Sequence, residues 1–184
     1  MPIRIWHWLL VVSVVAGWLL GYYRDFSIMQ WHFYAGYMTG GLLVIRLLLG
    51  LFGPSSLRFS SLGFSWQQLK NYVSHFLRRA PSGVAGHNPL GSLSVIAMLL
   101  ALSVQVITGL FSEDDALFYE GPLASSVSSA VRLKLISIHH FSASALLWLV
   151  GLHVGAILFY LIWKKENLVI AMITGNKLVR KNDR

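Results

Sequence analysis

The sequence predicts an all-α integral membrane protein, a bundle of four spanning helices. Three observations carry this reading. Only 12% of the 184 residues are charged and 55% are hydrophobic, whereas a soluble domain is about a quarter charged. Four apolar runs are each long enough to cross about 30 Å of hydrocarbon as a helix, which takes roughly 20 residues. The basic residues, which give a formal net charge of +8, flank those runs in short stretches. Anionic lipid head groups attract such stretches, so membrane lipid is the expected partner of this charge and nucleic acid is not. The chain has no cysteine. That excludes disulfides, iron–sulfur clusters, thiolate metal sites and thioether-attached haem. The length, 1–184, fits a single domain.

The first span is expected at 5–23, with His7 and Trp8 near its start. A signal peptide is the competing reading. The length of the run, the lack of a small-residue cleavage site in "GYYRDF" and the second span that follows at once argue against it. The second span is 31–52. The loop 53–88 then holds Arg58, Lys70, Arg78 and Arg79 and no acid. Within it Trp66, Leu69, Val73, Phe76 and Leu77 fall at helical spacing. They predict a short helix, lying on the membrane surface or packed under the bundle. The third span is 89–111. The next loop, 112–135, sets Glu113, Asp114, Asp115 and Glu120 against Arg132 and Lys134. The fourth span is 136–163, and a tail rich in Lys and Arg follows. The positive-inside rule places both termini and the loop 53–88 in the cytoplasm.

Histidine inside a span is costly and marks a functional site by default. A single one is as readily explained by a hydrogen bond to a neighbouring helix. Several at matched depths are not. His139 and His153 are fourteen residues apart, within about 40° of one another on a helix face and roughly 21 Å apart along its axis. His140 points well away from that face. With alternating spans, His7 matches the depth of His153 on the cytoplasmic side, and His32 matches His139 on the outer side. Two cross-helix pairs result, His7 with His153 and His32 with His139, in the bundle core where cofactor sites are commonly built.

A metal held by two histidines normally needs carboxylate or thiolate partners, and the spans supply neither. Haem brings four equatorial nitrogens, so two axial histidines suffice. The expectation is a bundle holding two haems, each closed by two imidazoles and suited to electron transfer. Gly36, Gly40, Gly41 and Ala143 either let a flat macrocycle approach a backbone or simply pack helices. Arg46, fourteen residues after His32, pairs with a haem propionate at the inner level or snorkels to the interface. Arg4 lies at similar depth with the same two readings.

These residues resemble the bacterial cytochrome b561 family, which includes the b-type subunits of membrane-bound nickel–iron hydrogenases. "RIWHW" at Arg4–Trp8 is similar to the first-helix R-x-x-H-W, and "HFYAGY" with "RLLLGLFGP" resembles the second helix. "GHNPLG" is similar to the start of the third helix, "HHFSASALLWLVGLH" to the histidine pair of the fourth, and "MITGNK" to the C-terminal motif. Fewer residues precede Arg4 than is usual in the family, which suggests a short form or a late start codon. The resemblance implies two b haems in a multi-pass protein of the bacterial inner membrane. It implies electron transfer between the quinone pool and a periplasmic or membrane-associated redox protein, a cytochrome c or an oxidoreductase subunit.

His87 and Asn88, at the mouth of the third span, can hydrogen-bond a quinone carbonyl and relay a proton. Asn88 before Pro89 also reads as an ordinary helix start. The acidic loop either docks a basic redox partner or is solvated. Two other functions fit the same residues: a superoxide:quinone oxidoreductase, whose anionic substrate an acidic loop repels, and a non-redox four-helix transporter or membrane anchor.

Overall fold

The computed structural model describes residues 2–62, 65–77, 89–114 and 119–175. Among them the elements run α1 (Pro2–Tyr22), α2 (Met29–Phe52), α3 (Trp66–Ser74), α4 (Pro89–Phe111), β1 (Glu113–Asp114), β2 (Tyr119–Glu120), α5 (Ser129–Ile162) and α6 (Leu168–Thr174). The fold is all-α apart from one short hairpin. α1, α2, α4 and α5 are long and apolar enough to cross a membrane.

One boundary departs clearly from the sequence reading. α5 begins at Ser129, well before the apolar run that starts at 136. Arg132 and Lys134 end the run of hydrophobic side chains but not the helix, whose hydrogen bonds are backbone bonds. The N–H groups of Val131 and Arg132 both donate to Ser128 O at 3.0 Å, so the helix starts outside the apolar segment.

Many large apolar side chains on the spans are exposed, among them Val12, Val44, Leu100, Trp148 and Leu152. On a soluble protein such a surface invites aggregation; on four spans it is the surface that meets lipid. The buried set mixes Leu42, Leu43, Leu99, Leu102 and Leu146 with Ser13, Thr39, Thr108 and Ser142. An unmet polar group in hydrocarbon costs several kcal/mol; the hydroxyls of this set are met internally, whereas the buried Ser92 Oγ of α4 meets no partner among the described residues. Thr39 donates to Ala35 O at 2.9 Å, Ser103 to Leu99 O at 2.8 Å and Thr108 to Val104 O at 2.6 Å.

The chain divides into two compact units. The first comprises Pro2–Leu48 and Leu99–Trp148. Here α1 and α2 are tied by Trp6 Nε1 donating to Leu42 O at 2.8 Å and by the close approach of Thr39 Oγ1 to Ser13 Oγ at 3.1 Å. Asp25 shapes the turn between them, accepting from the N–H of Ser27 at 2.9 Å. The hairpin pairs Glu113 with Glu120 and Asp114 with Tyr119. Tyr119 donates its hydroxyl to Phe26 O at 3.1 Å, which fastens the hairpin to the α1–α2 turn.

The second unit comprises Leu49–Met98 and Leu149–Arg184. α3 packs against the C-terminal end of α5. Phe76 and Phe159 stack with centroids 4.7 Å apart, Tyr72 and Tyr160 hydrogen-bond through their hydroxyls, and Trp163 Nε1 donates to Leu77 O at 2.9 Å. Lys164 Nζ lies 5.6, 5.5 and 5.3 Å over the rings of Tyr72, Phe76 and Tyr160. Trp66, Val73 and Leu77 remain exposed, so the loop helix has one docked face and one apolar open face. α6 has no counterpart in the sequence reading. Its ends are conventional: Asn167 accepts from the N–H of Ile170 at 2.9 Å, and Gly175 closes it at φ 86°.

Candidate functional site

The first unit brings His32 of α2 and His139 of α5 together, with ring centroids 6.1 Å apart and planes at 80°. Both rings are anchored through Nδ1 to a backbone carbonyl. His32 Nδ1 lies 2.8 Å from Gly17 O, and His139 Nδ1 lies 3.0 Å from Gln105 O. A carbonyl can only accept, so each Nδ1 carries the proton and each Nε2 keeps its lone pair. Metal-binding histidines use this arrangement, because the second nitrogen fixes tautomer and ring orientation.

Two glycines make room for the rings. A Cβ placed on Gly21 lies 3.0 Å from His32 Cε1, and one on Gly109 lies 3.0 Å from His139 Cε1. Gln105 adds its side chain: its Nε2–H donates to His139 Nε2 at 2.9 Å, on the lone pair that a metal would take in its place, and its Oε1 accepts from Ser142 Oγ. Thr108 Oγ1 lies 3.2 Å from His139 Nδ1. The sequence reading passed over Gly21, Gln105, Thr108 and Gly109. Two signals pointed to some of them: Gly17 and Gly21 form a G-x-x-x-G pattern, and a lone Gln in an apolar span is costly enough to need a reason.

Haem suits this donor set. Among the described residues no three His, Cys, Asp or Glu side chains gather to hold a bare metal ion. Haem needs only two axial donors from the protein. With a metal–imidazole bond of about 2 Å, two rings on opposite sides of one metal have centres roughly 6 Å apart. The rings of His32 and His139 lie at that separation, 6.1 Å between centroids.

The remaining candidates are distributed as follows. His140, next to His139, is exposed. Gly36 and Gly41 have open space beside them, whereas Gly40 meets Val106 of α4, a helix-packing role. His7 is half-buried, and its ring meets Trp8 edge-on at 5.5 Å. Arg4 is half-buried and Arg46 buried. His153 is half-buried on the part of α5 that belongs to the second unit. His87 and Asn88 lie outside the described residues.

The acidic loop proves largely paired. Arg132 Nη1 lies 2.6 Å from Glu113 Oε2 and 3.4 Å from Glu120 Oε1, and Arg24 lies 3.4 Å from Asp114. Asp115 lies outside the described residues. These bridges offset much of the negative charge that was expected to attract a basic partner or repel an anion.

Comparison with known proteins identifies the family. The chain is 26% identical over 222 residues to a "Probable Ni/Fe-hydrogenase B-type cytochrome subunit" of Rhizobium leguminosarum bv. viciae, covering 99% of this chain and 88% of that one. It is 25% identical to a protein of the same name from Azotobacter vinelandii, covering 100% and 88% of the two chains. It is 29% identical to a "Probable Ni/Fe-hydrogenase 1 B-type cytochrome subunit" of Escherichia coli (strain K12), covering 61% and 58%. No solved structure matches. The profile of the prokaryotic cytochrome b561 family matches residues 1–175. Four apolar spans and this match over nearly the whole length together establish that the chain belongs to the prokaryotic cytochrome b561 family.

Proposed function

We propose that this chain is a dihaem b-type cytochrome that passes electrons between the quinone pool and a redox partner protein. The observation that carries the proposal is the His32–His139 pair, two rings 6.1 Å apart, each anchored through Nδ1 to a backbone carbonyl. Haem, when bound, supplies reversible one-electron exchange. His32 and His139 would hold it, with Gly21 and Gly109 leaving room for their rings. Two protein ligands leave no position for a substrate at the metal, which favours electron transfer over chemistry there.

A second haem is assigned to His7 and His153, with Arg46 and Arg4 as propionate partners. This pair rests on helix spacing and expected depth. The quinone contact is assigned to His87 and Asn88, from the chemistry of their side chains. The hydrogenase subunits named among the relatives support an oxidoreductase subunit as the partner. The family supports the bacterial inner membrane, and loop charge supports both termini in the cytoplasm.

A pyridine haemochrome assay on the purified, folded protein tests the proposal. Two non-covalent b haems per chain are expected. One haem would remove the second site, and none would remove the cytochrome reading of this chain.

A further inference from the structure

We propose that Thr108 is a positioning residue for His139, whose hydroxyl sets the electron-donating strength of that imidazole toward the metal it binds. The inference rests on the assignment of His139 as a haem ligand. Thr108 is buried on α4, one turn beyond Gln105. Its single hydroxyl proton is directed at backbone: Oγ1 donates to Val104 O at 2.6 Å and lies 3.2 Å from Gln105 O. Only lone pairs remain to face the ring, and His139 Nδ1 is 3.2 Å away. The same Nδ1 is 3.0 Å from Gln105 O. The N–H of His139 therefore meets two acceptors.

His32 differs. Among the described residues its Nδ1 has one hydrogen-bonding neighbour, Gly17 O at 2.8 Å. The two rings of one site thus hold their N–H protons unequally. Acceptors that draw on the Nδ1 proton raise the basicity of the imidazole as a ligand. A more basic ligand favours ferric over ferrous iron, so Thr108 biases this haem toward a lower potential. Among the described residues the hydroxyl of Thr108 meets no other polar side chain, which makes the effect separable by substitution.

The test is a dye-mediated redox titration of the α-band in the wild type, Thr108→Val, Thr108→Ser and His139→Ala. His139→Ala identifies which titration step belongs to this site. Thr108→Val should move that step alone toward easier reduction, by roughly tenfold in the reduction equilibrium, near the low end of outer-shell effects. Thr108→Ser, which keeps the hydroxyl, should titrate as the wild type. An unmoved step in Thr108→Val, or an equal shift in Thr108→Ser, overturns the proposal. If His139→Ala retains both haems, the ligand assignment itself has failed, which is a different result. Should Thr108→Val bind no haem, Thr108→Ala takes its place with the same expectation and the same overturning result.

Discussion

His32 and His139 lie 6.1 Å apart between ring centroids, though they stand 107 positions apart in the chain. Neither ring is held by its own helix. His32 is anchored on α1 through Gly17 O, and His139 on α4 through Gln105 O. The two imidazoles come from α2 and α5 while their anchors come from α1 and α4, so all four spans contribute to one cluster.

His139 and His140 should behave oppositely on substitution. Adjacent helical residues point about 100° apart, and only His139 turns its ring toward His32. His139→Ala should lose one haem of two and His140→Ala neither, as read by haemochrome and the reduced-minus-oxidised spectrum. Loss of a haem only in His140→Ala would reverse the ligand assignment.

The glycine cradles predict a haem defect without a folding defect. Alanine is a better helix former than glycine, yet a Cβ at Gly109 or Gly21 lies 3.0 Å from the facing imidazole carbon. Each ring must then shift by a few tenths of an ångström. Gly21→Ala and Gly109→Ala should keep their helical circular dichroism and bind haem about tenfold more weakly. Full haem content in both would show that the rings move freely.

The docking of α3 should weaken in alkali. Burial and then the Glu166 carboxylate raise the Tyr72 hydroxyl above its ordinary pKa. The docked state favours the protonated form. That stabilisation is complete below the usual tyrosine value of about 10 and is lost as pH rises through the raised value. Hydrogen exchange in α3 should accelerate over this range in the wild type and less so in Tyr72→Phe. Identical pH profiles would clear Tyr72 of the role.

Quinone contact at the start of α4 predicts a kinetic separation. Asn88→Ala should slow haem reduction by a quinol severalfold, while dithionite reduction and haem content are unchanged. Wild-type quinol kinetics would exclude this position.

Loop charge predicts where the chain ends lie. A reporter fused after Arg184 should be active in the cytoplasm. Activity confined to the periplasm would invert the assignment of sides and, with it, of the two haem levels.

The sequence alone determined the four spans, because lipid makes apolar length nearly a sufficient condition for a helix: a backbone in hydrocarbon must satisfy its own hydrogen bonds. It also marked the histidines, since an imidazole in an apolar run stands out on cost alone. Tertiary structure decided what those signals do not encode. Gly21 and Gly109 matter because of the rings opposite them, and nothing in their own helices says so. Thr108 reads locally as a hydroxyl bonded back to its own helix; only the arrival of α5 gives its remaining lone pairs a partner. Glu113 and Glu120 read as free acids until the early start of α5 brings Arg132 between them. Each of these depends on which distant segments meet, and helical periodicity fixes only the face a residue is on, not what that face encounters.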